Sequence, residues 1–171
     1  LYSSRTPFSN WFVTPGIKYD GHEFSSSEAL FMYLKARVFR DDAMAERIIT
    51  LDPKSAKECG RLVTPFNEEI RNRECENAMY IALKAKLESS NEFREALLHE
   101  EFKGKTFVEA SPYDAIWGIK QSVEDAYNGA PWQGLNLLGK LLTELRDETL
   151  GLIESKDRHI TPITDQELEA I

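Results

Sequence analysis

The chain has 171 residues, 42% of them hydrophobic and 29% charged, the proportions of an ordinary globular protein with enough length to bury a core. These values exclude a disordered chain or a coiled coil as a description of the whole. With 21 basic against 29 acidic residues the formal charge is −8, which argues against a concentrated basic surface that would track nucleic acid through many phosphates.

No apolar run approaches the roughly 20 residues needed to cross a bilayer, so no membrane partner is expected. Leu1-Tyr2-Ser3-Ser4-Arg5 lacks the charged and then apolar run of a secretory signal. Cys59 and Cys75 are the two cysteines, and neither belongs to a Cys-x-x-Cys or Cys/His cluster. Two reduced thiols in a cytoplasmic protein are the expectation. His22, His99 and His159 are scattered along the chain, so neither a metal nor another cofactor is expected.

In chain order, Phe8 to Thr14 reads as short extended pieces ending at the turn Pro15-Gly16. Ile17-Lys18-Tyr19 and Glu23-Phe24 flank Asp20-Gly21, a strong two-residue hairpin signal. Leu30, Phe31, Leu34 and Val38 give residues 28–39 the spacing of an amphipathic helix. Further helices are expected over residues 43–50 and, opened by Pro53 and stopped by Gly60, over 53–60. Residues 68–88 are the longest candidate, with Met79, Ala82, Leu83 and Leu87 on one stripe, and 92–101 follow. Residues 106–111 turn extended, Ala110 to Asp114 form a loop, and Trp117-Gly118-Ile119 is expected as a last short strand. After a turn at Asn128-Gly129-Ala130-Pro131, Leu137, Leu138, Leu141, Leu142 and Leu145 define the clearest amphipathic helix. The fold class expected is α+β, a mostly helical single domain over residues 1–155 with a small β-hairpin and short strands. Residues 156–171 are expected as a polar peripheral tail.

Periodicity leaves some residues unexplained. Asn10 and Trp11 lie in an early loop, Glu28 opens a helix, and Glu109, Asp114 and Trp117 surround a proline-broken loop. Trp132, Gly134 and Asn136 precede the leucine-rich helix. Aromatics, amides and carboxylates gathered in loops suit a nucleoside pocket, where rings stack on a base and amides read its edges. Each has a plainer alternative. Ser25-x-x-Glu28 before an apolar run matches a capping box. Asp114 suits a turn or a short helix cap, and Asn136 an N-cap. Trp117 and Trp132 suit a core, Lys35 and Arg61 surface ion pairs, and Glu109 a solvent-facing position on a strand.

The order and spacing of these residues resemble a known family. Phe8-Ser9-Asn10-Trp11, then Ser27-Glu28 seven residues ahead of Lys35, then Gly60-Arg61, are similar to the NADAR (YbiA-like) pattern. So are Glu109-Ala110-Ser111-Pro112-x-Asp114-x-x-Trp117-Gly118-Ile119 and Trp132-x-Gly134-x-Asn136-x-Leu138-Gly139-x-x-Leu142-x-x-x-Arg146. The resemblance runs from Phe8 to Glu148. Two positions depart from it: no Trp stands near Arg71, and Lys120 occupies the place where a glycine commonly follows Trp-Gly-Ile.

The resemblance implies cleavage of N-glycosidic bonds, in ribosylamine intermediates of riboflavin synthesis or in ADP-ribosyl-guanine. It implies Glu28 as the carboxylate that stabilises the oxocarbenium-like charge and activates water, and Asp114 as the second acidic or water-positioning group. Substrate contacts are then expected from Asn10, Trp11, Lys35, Arg61, Glu109, Ser111, Trp117, Gly118, Trp132 and Asn136, with Lys35 and Arg61 as phosphate candidates. The expected partner is a small phosphorylated nucleoside or an ADP-ribose-containing molecule, with ADP-ribosylated nucleic acid as a further option. A non-catalytic module that binds ADP-ribose or a related nucleotide is the alternative, and a helical interaction protein a third reading.

Overall fold

Turn chemistry at Asp20-Gly21 makes the first element. The two residues take φ of 51° and 76°, the left-handed pair that a tight hairpin requires. They join β1 (Ile17–Tyr19) to β2 (His22–Phe24) in a two-stranded antiparallel sheet, with Ile17 opposite Phe24. The computed structural model describes residues 5–171, and its remaining elements are helical. These are α1 (Ser27–Val38), α2 (Asp42–Ile48), α3 (Pro53–Gly60), α4 (Glu68–Ser89), α5 (Asn91–Leu97), α6 (Val123–Tyr127), α7 (Leu137–Thr149) and α8 (Asp165–Ala170), with a 3-10 turn at Glu100–Phe102. The chain is thus α+β and mostly helical, as expected.

Side-chain caps account for several helix starts. Asp41 accepts from the Met44 amide, Asn67 from Ile70, and Asp52 from Lys54 and Ser55 immediately before Pro53. The described residues form two compact units, one of residues 10–91 and 157–171, the other of residues 5–9 and 92–156.

In the first unit α1 is the central helix, packed against α2, α3 and α4. All of its 12 residues except Lys35 and Arg37 are buried. A one-sided apolar stripe was the expectation, and the helices on several sides of α1 replace it with burial all round. Of residues 156–171, the expected polar peripheral tail, 157–171 belong to this unit, mostly exposed but anchored at a few points. The Ile163 amide donates to the Val38 carbonyl at 2.9 Å, and the Ile163 side chain is buried. The Thr161 amide donates to Glu74 Oε2 at 2.9 Å, and the Arg158 guanidinium lies 4.9 Å from the centre of the Tyr80 ring. Arg40 pairs with Asp165 at 2.6 Å and Arg73 with Glu167 at 2.7 Å. α8 opens on a capping box between Thr164 and Glu167.

The second unit is built on α7 and an aromatic cluster. Leu138, Leu141, Leu142 and Leu145 are buried, and Phe8 packs with Phe93, Phe102 and Phe107 at centroid separations of 6.4, 6.1 and 5.3 Å. Arg146 is 1% exposed. Its guanidinium donates to the Phe102 carbonyl at 2.5 Å and to Asp147 at 2.9 Å, and lies 5.2 Å from the Phe107 ring centre. The helix expected over 92–101 stops at Leu97 and gives way to the 3-10 turn, whose start His99 caps. α6 follows Ser122, whose hydroxyl accepts from Asp125. The strand expected at Trp117-Gly118-Ile119 does not form. Its backbone groups bond across to the loop of residues 133–138 without the repeating ladder of a strand.

Candidate active site

In the first unit the site residues gather at the start of α1. Ser26 is the N-cap, its Oγ accepting from the Ala29 amide at 3.1 Å. Ser25 instead donates its hydroxyl to the Leu51 carbonyl at 2.7 Å, and the Glu28 amide donates to the Asn10 carbonyl at 3.0 Å. The capping-box alternative for Ser25-x-x-Glu28 therefore does not form, because the cap falls one residue later. Ser26 serves the helix start, and the Glu28 carboxylate has no part in the cap. Asn10 is fixed by its side chain as well. Its Oδ1 accepts from Ser27 Oγ at 2.7 Å, and its amide nitrogen reaches Met79 Sδ at 3.5 Å. Those contacts anchor the loop that carries Trp11.

Glu28 is 7% exposed. Burial pushes its carboxyl up to about 7, against the opposing pull of Lys57 and Arg61. A carboxyl in this state exchanges its proton near neutral pH, as a general acid or base must. Lys57 and Arg61 stand one turn apart along the α3 face, Arg61 as the C-cap. The Lys57 ammonium lies 5.6 Å from the centre of the Trp11 ring, a cation–π contact.

Helices α1 and α3 meet closely. A Cβ on Gly60 would collide with Met32, so glycine permits the approach. Lys35 clasps the same junction: its Nζ donates to the Gly60 carbonyl at 2.7 Å and lies 5.0 Å from the Phe66 ring centre. Burial holds its ammonium below the usual value, and Arg71 and Arg61 push the same way. Lys35 is thus committed to a backbone carbonyl, and the cations acting on Glu28 are Lys57 and Arg61.

Two lysines escaped sequence reading. Lys57 was detectable from its four-residue spacing to Arg61 on a short helix. Lys86 is fully buried on α4, where burial alone pulls its ammonium down to about 7, and it lies 5.9 Å from the Phe12 ring centre. Its signal was a lysine within the apolar stripe, four residues after Ala82 and three after Leu83.

In the second unit the two long motifs fold onto each other. Asn136 is fully buried with φ of 52°, and its side chain makes no cap bond. Its Oδ1 accepts from the Glu109 amide at 2.9 Å, and its Nδ2 donates to the Phe107 carbonyl at 3.0 Å. The N-cap alternative is therefore displaced by a bridge to the extended segment before Ser111. Asp114 is a turn residue, its Oδ1 accepting from the Ile116 and Trp117 amides at 2.9 and 2.8 Å. The Ile119 amide donates to the Glu109 carbonyl at 2.9 Å, and the Gln133 amide to the Ile119 carbonyl at 3.0 Å. Gly118 is buried where a Cβ would press on the Glu109 and Asp114 carbonyls and on Ser111, which is itself buried. Burial raises the Glu109 carboxyl above its usual value, Asp114 adds to the rise, and Glu109 Oε2 is enclosed. Trp117 is half-buried, and Trp132 is 47% exposed rather than part of the core. Arg71 carries the position near which a Trp was expected, and pairs with Glu68 at 3.5 Å.

The chain is similar to several known proteins. The chain is 34% identical to N-glycosidase R617 of Acanthamoeba polyphaga mimivirus over 148 residues, 82% of this chain and 86% of that protein. It is 34% identical to protein irg-1 of Caenorhabditis elegans, covering 74% of this chain and 61% of that protein. It is 32% identical to the chloroplastic riboflavin biosynthesis protein PYRR of Zea mays, covering 66% of this chain but 17% of that longer protein. The NMR structure of the E. coli protein YbiA superposes with a TM-score of 0.68 at 31% identity, covering 93% of this chain and 89% of that one. The model of the NADAR domain matches residues 2–150, and the chain belongs to the NADAR family.

Proposed function

We propose that this chain is an N-glycosidase, a hydrolase that cleaves the bond between a ribosyl carbon and a nitrogen with Glu28 as its central carboxylate. The observation that carries the reading is the state of Glu28: buried, free of a capping role, brought to about 7 by burial and accompanied by two cations. As the C–N bond lengthens, positive charge develops on the sugar, and an ionised Glu28 stabilises it. Water adds to the ribosyl carbon and gives its proton to Glu28, while the departing nitrogen takes up a proton. Asp114 is assigned the second acidic or water-positioning role by family resemblance. Its Oδ1 is held by two amides, which fixes the carboxylate and leaves Oδ2 outside those two bonds.

The substrate class proposed is a phosphorylated ribosylamine or an ADP-ribosyl-guanine. The names of relatives, an N-glycosidase and a riboflavin biosynthesis protein, support both the bond type and a ribosylamine. A product assay by mass spectrometry tests this. It would offer a riboflavin-pathway ribosylamine phosphate, NAD-related nucleotides and ADP-ribosylated guanine in DNA side by side. Release of a free amine or base together with a ribosyl product is expected from at least one. A chain that binds these molecules and releases nothing would be the non-catalytic ADP-ribose-binding module instead.

A further inference from the structure

The last residues of the chain are held to the first unit largely by charged groups. Beyond Arg158 only the Ile163 side chain is buried, and α8 buries none of its six residues. A helix that short is not stable by itself in water. What fixes it in place is two ion pairs, Arg40 with Asp165 at 2.6 Å and Arg73 with Glu167 at 2.7 Å. Arg73 is also the centre of a continuous run of bonds that leaves the segment and returns to it. The Thr161 amide donates to Glu74 Oε2 at 2.9 Å, and Arg73 Nε donates to Glu74 Oε1 at 2.9 Å. Arg73 Nη1 then donates to Glu167 Oε1, and Glu167 Oε2 accepts from the Thr164 amide at 2.9 Å. Bonds linked in this way strengthen one another. The outer links face solvent: the side chains of Arg40, Arg73 and Asp165 are 43%, 46% and 87% exposed. Ion pairs so placed hold weakly and are screened by salt. The root of the segment differs. Arg158 is 13% exposed, donates to Asn77 Oδ1 at 3.2 Å and lies over the Tyr80 ring.

We propose that residues 159–171 form a latched strap, which swings open about Arg158 as one unit while α1 to α4 stay folded, with Arg73 as the latch. Opening uncovers the seat of Ile163 at the end of α1 and releases Arg40 and Arg73 from Asp165 and Glu167. Segments with few buried contacts open locally in this way, well before the whole chain unfolds. Rising ionic strength favours the open state, because the links that close the strap are the ones salt reaches. The strap does not depend on the reaction proposed for Glu28.

The test is amide hydrogen exchange of the full chain, followed residue by residue by NMR at about 0.02 M and about 0.5 M sodium chloride. The Thr161, Ile163 and Leu168 amides donate to Glu74, Val38 and Thr164. Corrected for intrinsic rates, they should exchange at least about tenfold faster than buried amides of α1 and α4. High salt should speed all three by a similar factor, about threefold or more, and leave α1 and α4 unchanged. Arg73→Gln should speed them at least about fivefold at low salt and remove most of the response to salt. Arg73→Lys keeps the charge without the two-sided fork and should lie between. Asp165→Asn, which touches the Arg40 link, should act in the same direction and keeps the test open should Arg73→Gln fail to fold. Strap amides that exchange at the rate of α1, or that ignore salt in wild type, overturn the proposal. So does Arg73→Gln that speeds α1 and α4 as much as the strap, since the loss is then one of global stability.

Discussion

At the scale of single residues, Glu28 shows how burial and charge compete. Burial raises its carboxyl from 4.5 to about 7, and Lys57 and Arg61 offset part of that rise. Because the folded value lies above the unfolded one, the folded chain holds this proton more tightly. The stabilisation is complete below about pH 4.5 and is lost as pH rises through about 7. Glu28→Gln keeps the shape and stays neutral. It should therefore match wild type near pH 4.5 and exceed it by on the order of 2 kcal/mol at pH 8.5, read by denaturant unfolding at both values. A variant less stable than wild type at both values would contradict the assignment. Lys120 offers a second prediction. It holds φ of 54° with an exposed side chain, a conformation that costs most residues and suits glycine. Lys120→Gly should raise stability by about 0.5–1 kcal/mol, seen as a higher denaturant midpoint with an unchanged slope.

At the scale of elements, much of the fold could be read locally. Asp20-Gly21 announced the hairpin, and Asp52-Pro53 with Gly60 bounded α3 where it is found. What local pattern missed depends on partners distant in sequence. Nothing near Asn136 indicates that its amide bridges to Phe107 and Glu109, and the shift of the α1 cap from Ser25 to Ser26 follows from Leu51 taking the Ser25 hydroxyl. The family motifs themselves divide by role. Gly118, Gly134 and Gly139 stand where backbone or side chains crowd in, so much of the long C-terminal motif serves packing of the second unit. Gly139 is the clearest case, because a Cβ there would meet the Phe107 carbonyl and the Asn136 amide. Gly139→Ala should destabilise the chain by about 1–3 kcal/mol, since backbone and a fully bonded side chain must move. A melting temperature unchanged by that substitution would refute the account of the bridge.

For the whole molecule, no helix among the described residues is long and apolar enough to cross a membrane. The lack of a long apolar run in the sequence had pointed the same way, but not to the use made of the last residues. The polarity of 157–171 read as a tail because its anchors, Val38, Glu74 and Tyr80, lie far back in the sequence. Removing residues 157–171 should uncover the Ile163 seat and take the Thr161 amide from the buried Glu74, which keeps Arg73. A loss of at least about 2 kcal/mol is expected in denaturant unfolding, from the apolar burial and the lost charge-assisted bond together. The central claim, that an ionised Glu28 drives N-glycoside hydrolysis, is tested most directly by the pH dependence of kcat/KM on whichever substrate the product assay identifies. Wild type should show an ascending limb centred near pH 7, and Glu28→Gln should fall by about 100-fold or more and lose that limb. Undiminished hydrolysis by Glu28→Gln, or the same limb persisting in it, would contradict the account.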